Sequence, residues 1–135
     1  MPPERGFVQR ARLKEKIAKV CSRTVVQIAK LMIRALNSGG KMLLCGNGGS
    51  TADCQHFAGE MVDRFKLDCK GLPAVALCTD TSMLTSLAND YQFDIVFSLQ
   101  VEALGKQGDV LILFSTSGKS PNTPVSYTHL TLPTN

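Results

Sequence analysis

The chain has 135 residues, 44% of them hydrophobic and 19% charged, a composition typical of a single soluble domain with its own core. No apolar run approaches the roughly 20 residues of a membrane-spanning helix, and five cysteines without a C-x-x-C pair favour reduced thiols over a disulfide framework. The net charge of +4 is concentrated in residues 1–41, which hold ten Lys and Arg and only two Glu. Such a basic arm can contact nucleic acid, but a solvated helix face is the more common arrangement and the one we favour.

The first predicted element is helical. From about Leu13 to Leu36, apolar residues recur at helical spacing, which predicts one long amphipathic helix or two consecutive ones with a break at Ser22. The sequence Asn-Ser-Gly-Gly at 37–40 is typical of a helix end and turn. We therefore predict an N-terminal helical arm over residues 1–40, of a kind that often packs against a partner subunit.

The next stretch combines a strand, a glycine-rich turn and a helix. Residues 42–45 are apolar and predict a buried strand, and the turn at 46–49 is Gly-Asn-Gly-Gly. Ser50 is the predicted N-cap of the following helix, with Asp53 as its capping-box partner. The unpaired N–H groups of a first helical turn favour an anion. The stretch therefore predicts a phosphate site, although a bare glycine turn can equally be structural.

The rest of the chain continues the alternation of strands and helices. Four elements are predicted: a buried strand over 73–78, a helix over 79–88 ending at Asn89 and Asp90, a helix over 94–104 capped by Asp94, and a strand over 109–114. This order predicts an α/β fold with a parallel sheet and right-handed crossovers. In such a sheet, the loops at the carboxyl ends of the strands gather on one edge, where ligands bind.

A second polar loop, Ser-Thr-Ser-Gly-Lys-Ser at 115–120, directly follows the last strand. A Ser- and Thr-rich loop alone is usually only a loop. Small hydroxyl side chains and backbone amides can nevertheless hold a phosphomonoester without the cluster of positive charge that nucleic acid demands. Because both polar loops leave the carboxyl ends of strands, we predict that they converge on one phosphate group.

His56 and Glu60 lie four residues apart and therefore share a face of the helix that follows the glycine turn. They can form a helix ion pair, or they can supply two ligands of a divalent metal and a general base. Two ligands do not complete a zinc site, so others must come from elsewhere. Asn89 and Asp90 can cap or turn the chain, or bind sugar hydroxyls.

The C-terminal residues depart from the α/β pattern. From about residue 124 the chain is rich in Pro and Thr and has no helical period. We interpret residues 124–135 as a non-native or disordered tail, and residues 41–123 as an incomplete α/β domain.

Six short motifs resemble, in order and spacing, those of the phosphoheptose isomerases (sedoheptulose 7-phosphate isomerases), a family of the sugar isomerase domain superfamily. The motifs are CGNGGS at 45–50, DCQHFAGE at 53–60, NDY at 89–91, QVEAL at 100–104, GDVL at 108–111 and STSGKSPN at 115–122. The resemblance covers about residues 8–123. It implies a flavodoxin-like three-layer αβα sandwich preceded by N-terminal helices, and a cytoplasmic, zinc-dependent homotetramer. No membrane or nucleic-acid partner is expected.

Position by position, the resemblance also implies roles for individual residues. Glu60 is the implied catalytic base, and His56 and Glu60 are the implied zinc ligands. The implied substrate-binding residues are Asn47, Gly48, Gly49, Ser50, Glu60, Asn89, Asp90, Ser115, Thr116, Ser117 and Ser120. The implied reaction converts sedoheptulose 7-phosphate to D-glycero-D-manno-heptose 7-phosphate through an enediol, in activated heptose biosynthesis.

Two further expectations follow from the resemblance. The family takes its second acid/base and further zinc ligands from a Gln and a His on a later helix, so we expect this chain to be incomplete and inactive as written. A non-catalytic member of the superfamily, which binds a sugar phosphate or a replication initiator, is the alternative. The pair of His56 and Glu60 favours the enzyme, because sensing alone needs neither a metal nor a base.

Overall fold

The computed structural model describes residues 3–63, 66 and 68–122. The predicted tail at 124–135 lies outside this range. The chain divides into two compact units, with the boundary between Arg34 and Ala35. Among the described helices, none has both the length and the apolar character needed to cross a membrane.

The N-terminal element is a single helix, α1, at Pro3–Asn37. Ser22 does not break it, and its hydroxyl donates a hydrogen bond to the Ala18 carbonyl in the preceding turn. The helix ends in the predicted glycine turn. Gly39 has a φ of 77°, and the Gly40 N–H donates to the Ala35 carbonyl at 2.9 Å.

The second unit contains three strands and the helices between them. Its elements are β1 Met42–Gly46, α2 Gly49–Val62, β2 Ala74–Ala76, α3 Thr81–Asp90, a 3-10 turn Phe93–Ile95, α4 Val96–Leu104 and β3 Val110–Phe114. Every strand and helix predicted for this part of the chain is present. The boundaries differ from the prediction by a few residues.

The three strands form one parallel sheet in the order β2-β1-β3. The steps from β1 to β2 and from β2 to β3 cross the sheet in opposite directions. Right-handed crossovers therefore place α2 on one face and α3 with α4 on the other. Both faces of β1 are covered, since residues 42–45 are at most 1% exposed. The expected α/β fold with helices on both faces of a parallel sheet is confirmed, and the order matches the start of the flavodoxin-like order.

Two predicted details are wrong. The strand predicted as buried over 73–78 pairs with β1 only at 74–76, and Val75 is 41% exposed, because β2 has a single neighbour in the described sheet. Asp94 does not cap α4. The N-cap is Ile95, and the preceding 3-10 turn serves the start of the helix, since the Val96 N–H donates to the Phe93 carbonyl.

A buried carboxylate joins β1 and β3 at the amino edge of the sheet. Asp109 accepts hydrogen bonds from the Lys41 backbone N–H at 2.8 Å, the Lys41 ammonium at 2.5 Å and the Lys106 N–H at 2.9 Å. Burial by itself raises the pKa of Asp109, whose side chain is 4% exposed, but these bonds outweigh burial and hold the pKa below its ordinary value.

Candidate functional site

The glycine turn starts α2 earlier than the sequence predicts. Gly48 has a φ of 55°, a conformation that glycine adopts readily, and it is the N-cap of α2. The prediction of Ser50 as N-cap, with Asp53 as partner, is therefore wrong. Ser50 instead lies inside the first turn, where its N–H donates to the Asn47 carbonyl at 3.0 Å.

Gly46, the last residue of β1, allows the close approach of two other elements. A Cβ atom at this position would lie 2.8 Å from the Phe114 carbonyl oxygen and 2.9 Å from the Ser50 Cβ. Both distances are shorter than real contacts allow. Only glycine therefore lets the end of β3 and the first turn of α2 pack this closely at the carboxyl edge of the sheet.

The second loop, residues 115–120, is held by its own hydroxyls. Ser115 Oγ accepts a hydrogen bond from the Gly118 N–H at 2.9 Å, and Ser117 Oγ accepts one from the Lys119 N–H at 3.2 Å. Gly118 has a φ of 64°. In both serines the oxygen accepts a hydrogen bond from the backbone, and a hydroxyl has a separate proton that it can donate to a ligand. Residues 115–119 are exposed.

The two loops meet at one edge of the sheet. Gly46 and Phe114 are partners in the parallel register of β1 and β3, so the loops leave the sheet side by side. Asn47 Nδ2 donates to Asn122 Oδ1 at 2.8 Å, and Asn122 Nδ2 donates to Asn47 Oδ1 at 3.0 Å. The position between β1 and β3 is the topological switch point of this strand order, where ligands of open α/β sheets bind.

The sequence analysis assigned no role to Gly46 or Asn122. Gly46 lies inside the glycine turn, so its presence in the motif was visible, but its packing against β3 was not. Asn122 is 75 residues from Asn47, and a single sequence contains no signal that pairs two such distant positions. Its burial, at 1% exposure, is also unexpected for an asparagine that follows Pro121 in a polar segment.

His56 and Glu60 are in contact on α2. His56 Nε2 and Glu60 Oε1 lie 3.2 Å apart, and the two side chains are 78% and 35% exposed. The neighbouring Phe57 ring packs against the Phe114 ring at a centroid distance of 6.2 Å, which fixes α2 beside the end of β3. His56 and Glu60 therefore lie on a helix that contacts the end of β3 through Phe57.

The same pair can supply two ligands to a metal ion. An imidazole nitrogen and a carboxylate oxygen are both ordinary zinc donors. Within residues 3–63, 66 and 68–122, no group of three or more His, Cys, Asp or Glu is arranged to hold a metal. His56 and Glu60 are two donors of the kind that a zinc site uses, and their role as zinc ligands stays a prediction.

Three buried thiols lie behind the turn. Burial, followed by the neighbouring thiols of Cys54 and Cys78, raises the pKa of Cys45 to about 12. Burial and Cys78 likewise raise the pKa of Cys54 to about 12. Both thiols are therefore protonated at neutral pH, as buried thiols usually are. All five cysteines are free.

Asn89 and Asp90 form the last residues of α3. Asn89 Nδ2 donates to Asp90 Oδ1 at 2.9 Å, and both residues are exposed. In the described part of the chain, neither side chain hydrogen-bonds to the two loops. Their predicted role in binding a sugar stays a prediction.

The arrangement can hold an anion at the two loops, and it carries a carboxylate and an imidazole further along α2. The turn at 46–49 opens α2 with backbone N–H groups, the second loop adds hydroxyl donors, and a carboxylate paired with an imidazole lies further along α2. This combination suits a phosphorylated substrate that undergoes proton transfer.

The chain is similar in sequence to known proteins whose names fit this chemistry. The chain matches the family described as SIS domain over residues 7–126. A phosphoheptose isomerase of Burkholderia pseudomallei (strain 1710b) is 62% identical over 99 residues, which cover 73% of this chain and 50% of the relative. One from Neisseria meningitidis serogroup A is 55% identical over 116 residues, covering 86% and 59%. The chain thus spans between half and three fifths of the length of these curated relatives.

The chain also resembles two solved structures of phosphoheptose isomerases. The phosphoheptose isomerase GmhA of Neisseria gonorrhoeae superposes with a TM-score of 0.87 at 48% identity, covering 93% of this chain and 65% of that one. A phosphoheptose isomerase of Francisella tularensis superposes with a TM-score of 0.90 at 35% identity, covering 93% and 66%. The predicted resemblance is confirmed. The names of these relatives give no support to the non-catalytic alternative.

Proposed function

Because the chain belongs to the SIS domain family, we propose that it forms the sugar-phosphate-binding part of an isomerase that converts sedoheptulose 7-phosphate to D-glycero-D-manno-heptose 7-phosphate. The names of the relatives, which are phosphoheptose isomerases, motivate the choice of substrate. The chain spans only part of those relatives, so the activity proposed here is that of the complete enzyme.

The single observation that carries the proposal is the meeting of the two loops. Asn47 and Asn122 join a glycine turn at the start of α2 to the hydroxyl-rich loop that follows β3. A phosphate between them would accept hydrogen bonds from N–H groups of the turn at 46–49 and from the hydroxyls of Ser115 and Ser117. The loop itself carries one cation, Lys119, which suits a single phosphomonoester better than a nucleic-acid backbone.

In this proposal Glu60 is the base. Its carboxylate takes the proton from one carbon of the phosphorylated sugar and returns it to the adjacent carbon, through an enediol. His56, 3.2 Å from the carboxylate, orients it. The hydroxyl loop binds the distant phosphate and so holds the reacting carbons in place. Asn89 and Asp90 are the proposed contacts to sugar hydroxyls.

We also propose zinc as the cofactor, with His56 and Glu60 as two of its ligands. The contact between an imidazole nitrogen and a carboxylate oxygen supports this assignment, and the remaining ligands would come from groups outside the described residues. When bound, the metal would polarise the substrate oxygens next to the carbon that loses its proton.

Assembly as a homotetramer in the cytoplasm completes the proposal. Large apolar side chains are exposed along α1, and a helix with this surface gains stability by packing against another chain. They are Phe7, Val8, Leu13, Ile17, Val20, Val25, Val26, Ile28, Leu31 and Ile33. Light scattering on the purified protein measures the assembly directly.

The activity is tested on this chain extended by the C-terminal region of the Neisseria meningitidis relative. Sedoheptulose 7-phosphate and zinc are added, and aldose formation is followed for the parent and for Glu60→Gln. Loss of the base predicts a fall in kcat of about 10²- to 10⁴-fold with the phosphate affinity retained. Asp53→Asn, which alters an exposed carboxylate on the same helix, is the matched control and should keep full turnover.

Two outcomes would contradict the proposal. Turnover that is unchanged in Glu60→Gln removes Glu60 from the mechanism. An extended parent that binds zinc, as measured by elemental analysis, yet forms no aldose contradicts the isomerase assignment.

A further inference from the structure

The two loops are joined by a reciprocal pair of side-chain amides. Each amide donates one hydrogen bond to the other, at 2.8 and 3.0 Å, between positions 75 residues apart. Asn122 is 1% exposed, whereas Asn47 is half-buried. A buried amide that loses a hydrogen bond retains the cost of desolvating the group left unpaired, so the pair favours this relative position of the loops.

The pair fixes the far end of the second loop. Phe114 holds the near end within β3, and the segment then runs through exposed residues 115–119 before Asn122 returns to the glycine turn. A loop anchored at both ends loses less conformational entropy when it binds a ligand than a loop anchored at one end. The geometry of the hydroxyls therefore depends on a contact outside the hydroxyl loop itself.

We propose that Asn122 is a positioning residue for phosphate binding, which acts through Asn47 and does not touch the ligand. The pair acts as an amide clamp (Asn47 with Asn122) that sets the separation between the turn at 46–49 and the loop at 115–120. Asn47, expected from the family resemblance to line the substrate, then contributes by holding the clamp with its side chain. This inference rests on the proposed function, because it assumes a phosphate between the loops.

The test is a double-mutant cycle on phosphate affinity. Inorganic phosphate is titrated into the parent, Asn47→Ala, Asn122→Ala and the double variant by calorimetry, with no turnover required. We expect Kd to rise about tenfold in either single variant, because displaced donors miss the phosphate oxygens. The double variant should match the singles, since the second substitution removes a contact that is already lost. Asn122→Leu, which fills the buried position but cannot form the clamp, should weaken binding as Asn122→Ala does.

Other results would overturn the clamp. Additive losses in the double variant would mean that Asn47 and Asn122 act independently. A normal Kd in Asn122→Leu would mean that Asn122 only fills space. A parent that binds no phosphate would refute the clamp together with the site. Clamp-dependent phosphate binding without isomerisation in the extended chain would instead refute the proposed activity alone. In active protein, KM for the sugar phosphate should rise while kcat changes little, which a loss of fold would not produce.

Discussion

At the scale of single residues, the hydroxyls of Ser115 and Ser117 have two separate tasks. Each oxygen accepts a hydrogen bond from its own loop backbone, at 2.9 and 3.2 Å, and each proton is left for a ligand. A hydroxyl oriented in this way binds an anion at little further cost in entropy. The same side chains therefore shape the loop, and in the proposed function they would also donate to the phosphate.

Removal of one of these hydroxyls should weaken phosphate binding with little effect on the fold. Because hydrogen bonds to charged acceptors contribute about 1.5–3 kcal/mol, Ser117→Ala should raise the Kd for inorganic phosphate roughly 10- to 100-fold. The melting temperature should change by no more than about 2 °C, since the loop is exposed. Calorimetric titration and thermal unfolding measure the two quantities.

Ser86→Ala is the control for this prediction. Ser86 is an exposed serine on α3, and its hydroxyl donates to the Met83 carbonyl one turn away. Its loss should leave the phosphate affinity unchanged. Equal Kd values for the parent and Ser117→Ala would exclude this hydroxyl from the phosphate site.

At the scale of secondary-structure elements, the junction of β1, β3 and α2 depends on Gly46. A methyl group there would collide with the Phe114 carbonyl and with Ser50. Gly46→Ala should therefore push the strand ends apart and destabilise the protein by about 1–3 kcal/mol, the usual cost of overpacking. It should also weaken phosphate binding, because the two loops begin at this register pair. Denaturant unfolding of the parent and of Gly46→Ala measures the change in the free energy of unfolding.

Gly59→Ala gives the opposite expectation on a neighbouring part of the same element. Gly59 lies within α2, and among the described residues nothing is within 4 Å of the position that a Cβ would take. The substitution should stabilise the helix by about 0.5–1 kcal/mol through the lost backbone entropy of glycine. A Gly46→Ala variant as stable as Gly59→Ala would show that the junction tolerates a wider spacing.

The elements differ in how far the sequence could predict them. Strands β1 and β3 are continuous apolar runs, and α1 has a helical period. The local sequence pattern was therefore enough to predict all three elements. Ser50 failed as an N-cap because a capping pattern cannot reveal that Gly48 adopts a positive φ and starts the helix earlier. The contact between Asn47 and Asn122 was beyond prediction for another reason, since it depends on tertiary packing. The roles of His56 and Glu60 came from family resemblance and stay predictions.

At the scale of the whole molecule, the two edges of the sheet have different tasks. The carboxyl edge carries glycines, hydroxyls and exposed loop residues, which suit a ligand. The amino edge is closed by Asp109 and Lys41, which tie the start of β3 to the start of β1. Rigidity at one edge keeps β1 and β3 in register, and their register determines where the loops begin at the other edge.

The ion pair of Asp109 and Lys41 at the amino edge predicts how the stability of the protein depends on pH. The folded pKa of Asp109 is below its ordinary value of 3.8, so its ionised form is favoured in the folded state. The stabilisation that ionised Asp109 provides is fully present above about pH 4 to 5. It is lost as the pH falls, first through the pKa of Asp109 in the unfolded state and then through its lower pKa in the folded state. Asp109→Asn removes the charge but keeps the shape. It should cost on the order of 3 kcal/mol at pH 7, because the Lys41 ammonium loses a buried partner.

The free energies of unfolding of Asp109→Asn and of the parent should therefore become more similar at acid pH. Chemical unfolding of both proteins at pH 7, 5, 4 and 3 should give a free-energy difference that is constant at the two higher values and narrows at the two lower ones. Asp53→Asn, at an exposed carboxylate, should show no comparable difference at any pH. A difference between parent and Asp109→Asn that persists undiminished at pH 3 would mean that packing at the amino edge, and not the charge of Asp109, holds β1 and β3 together.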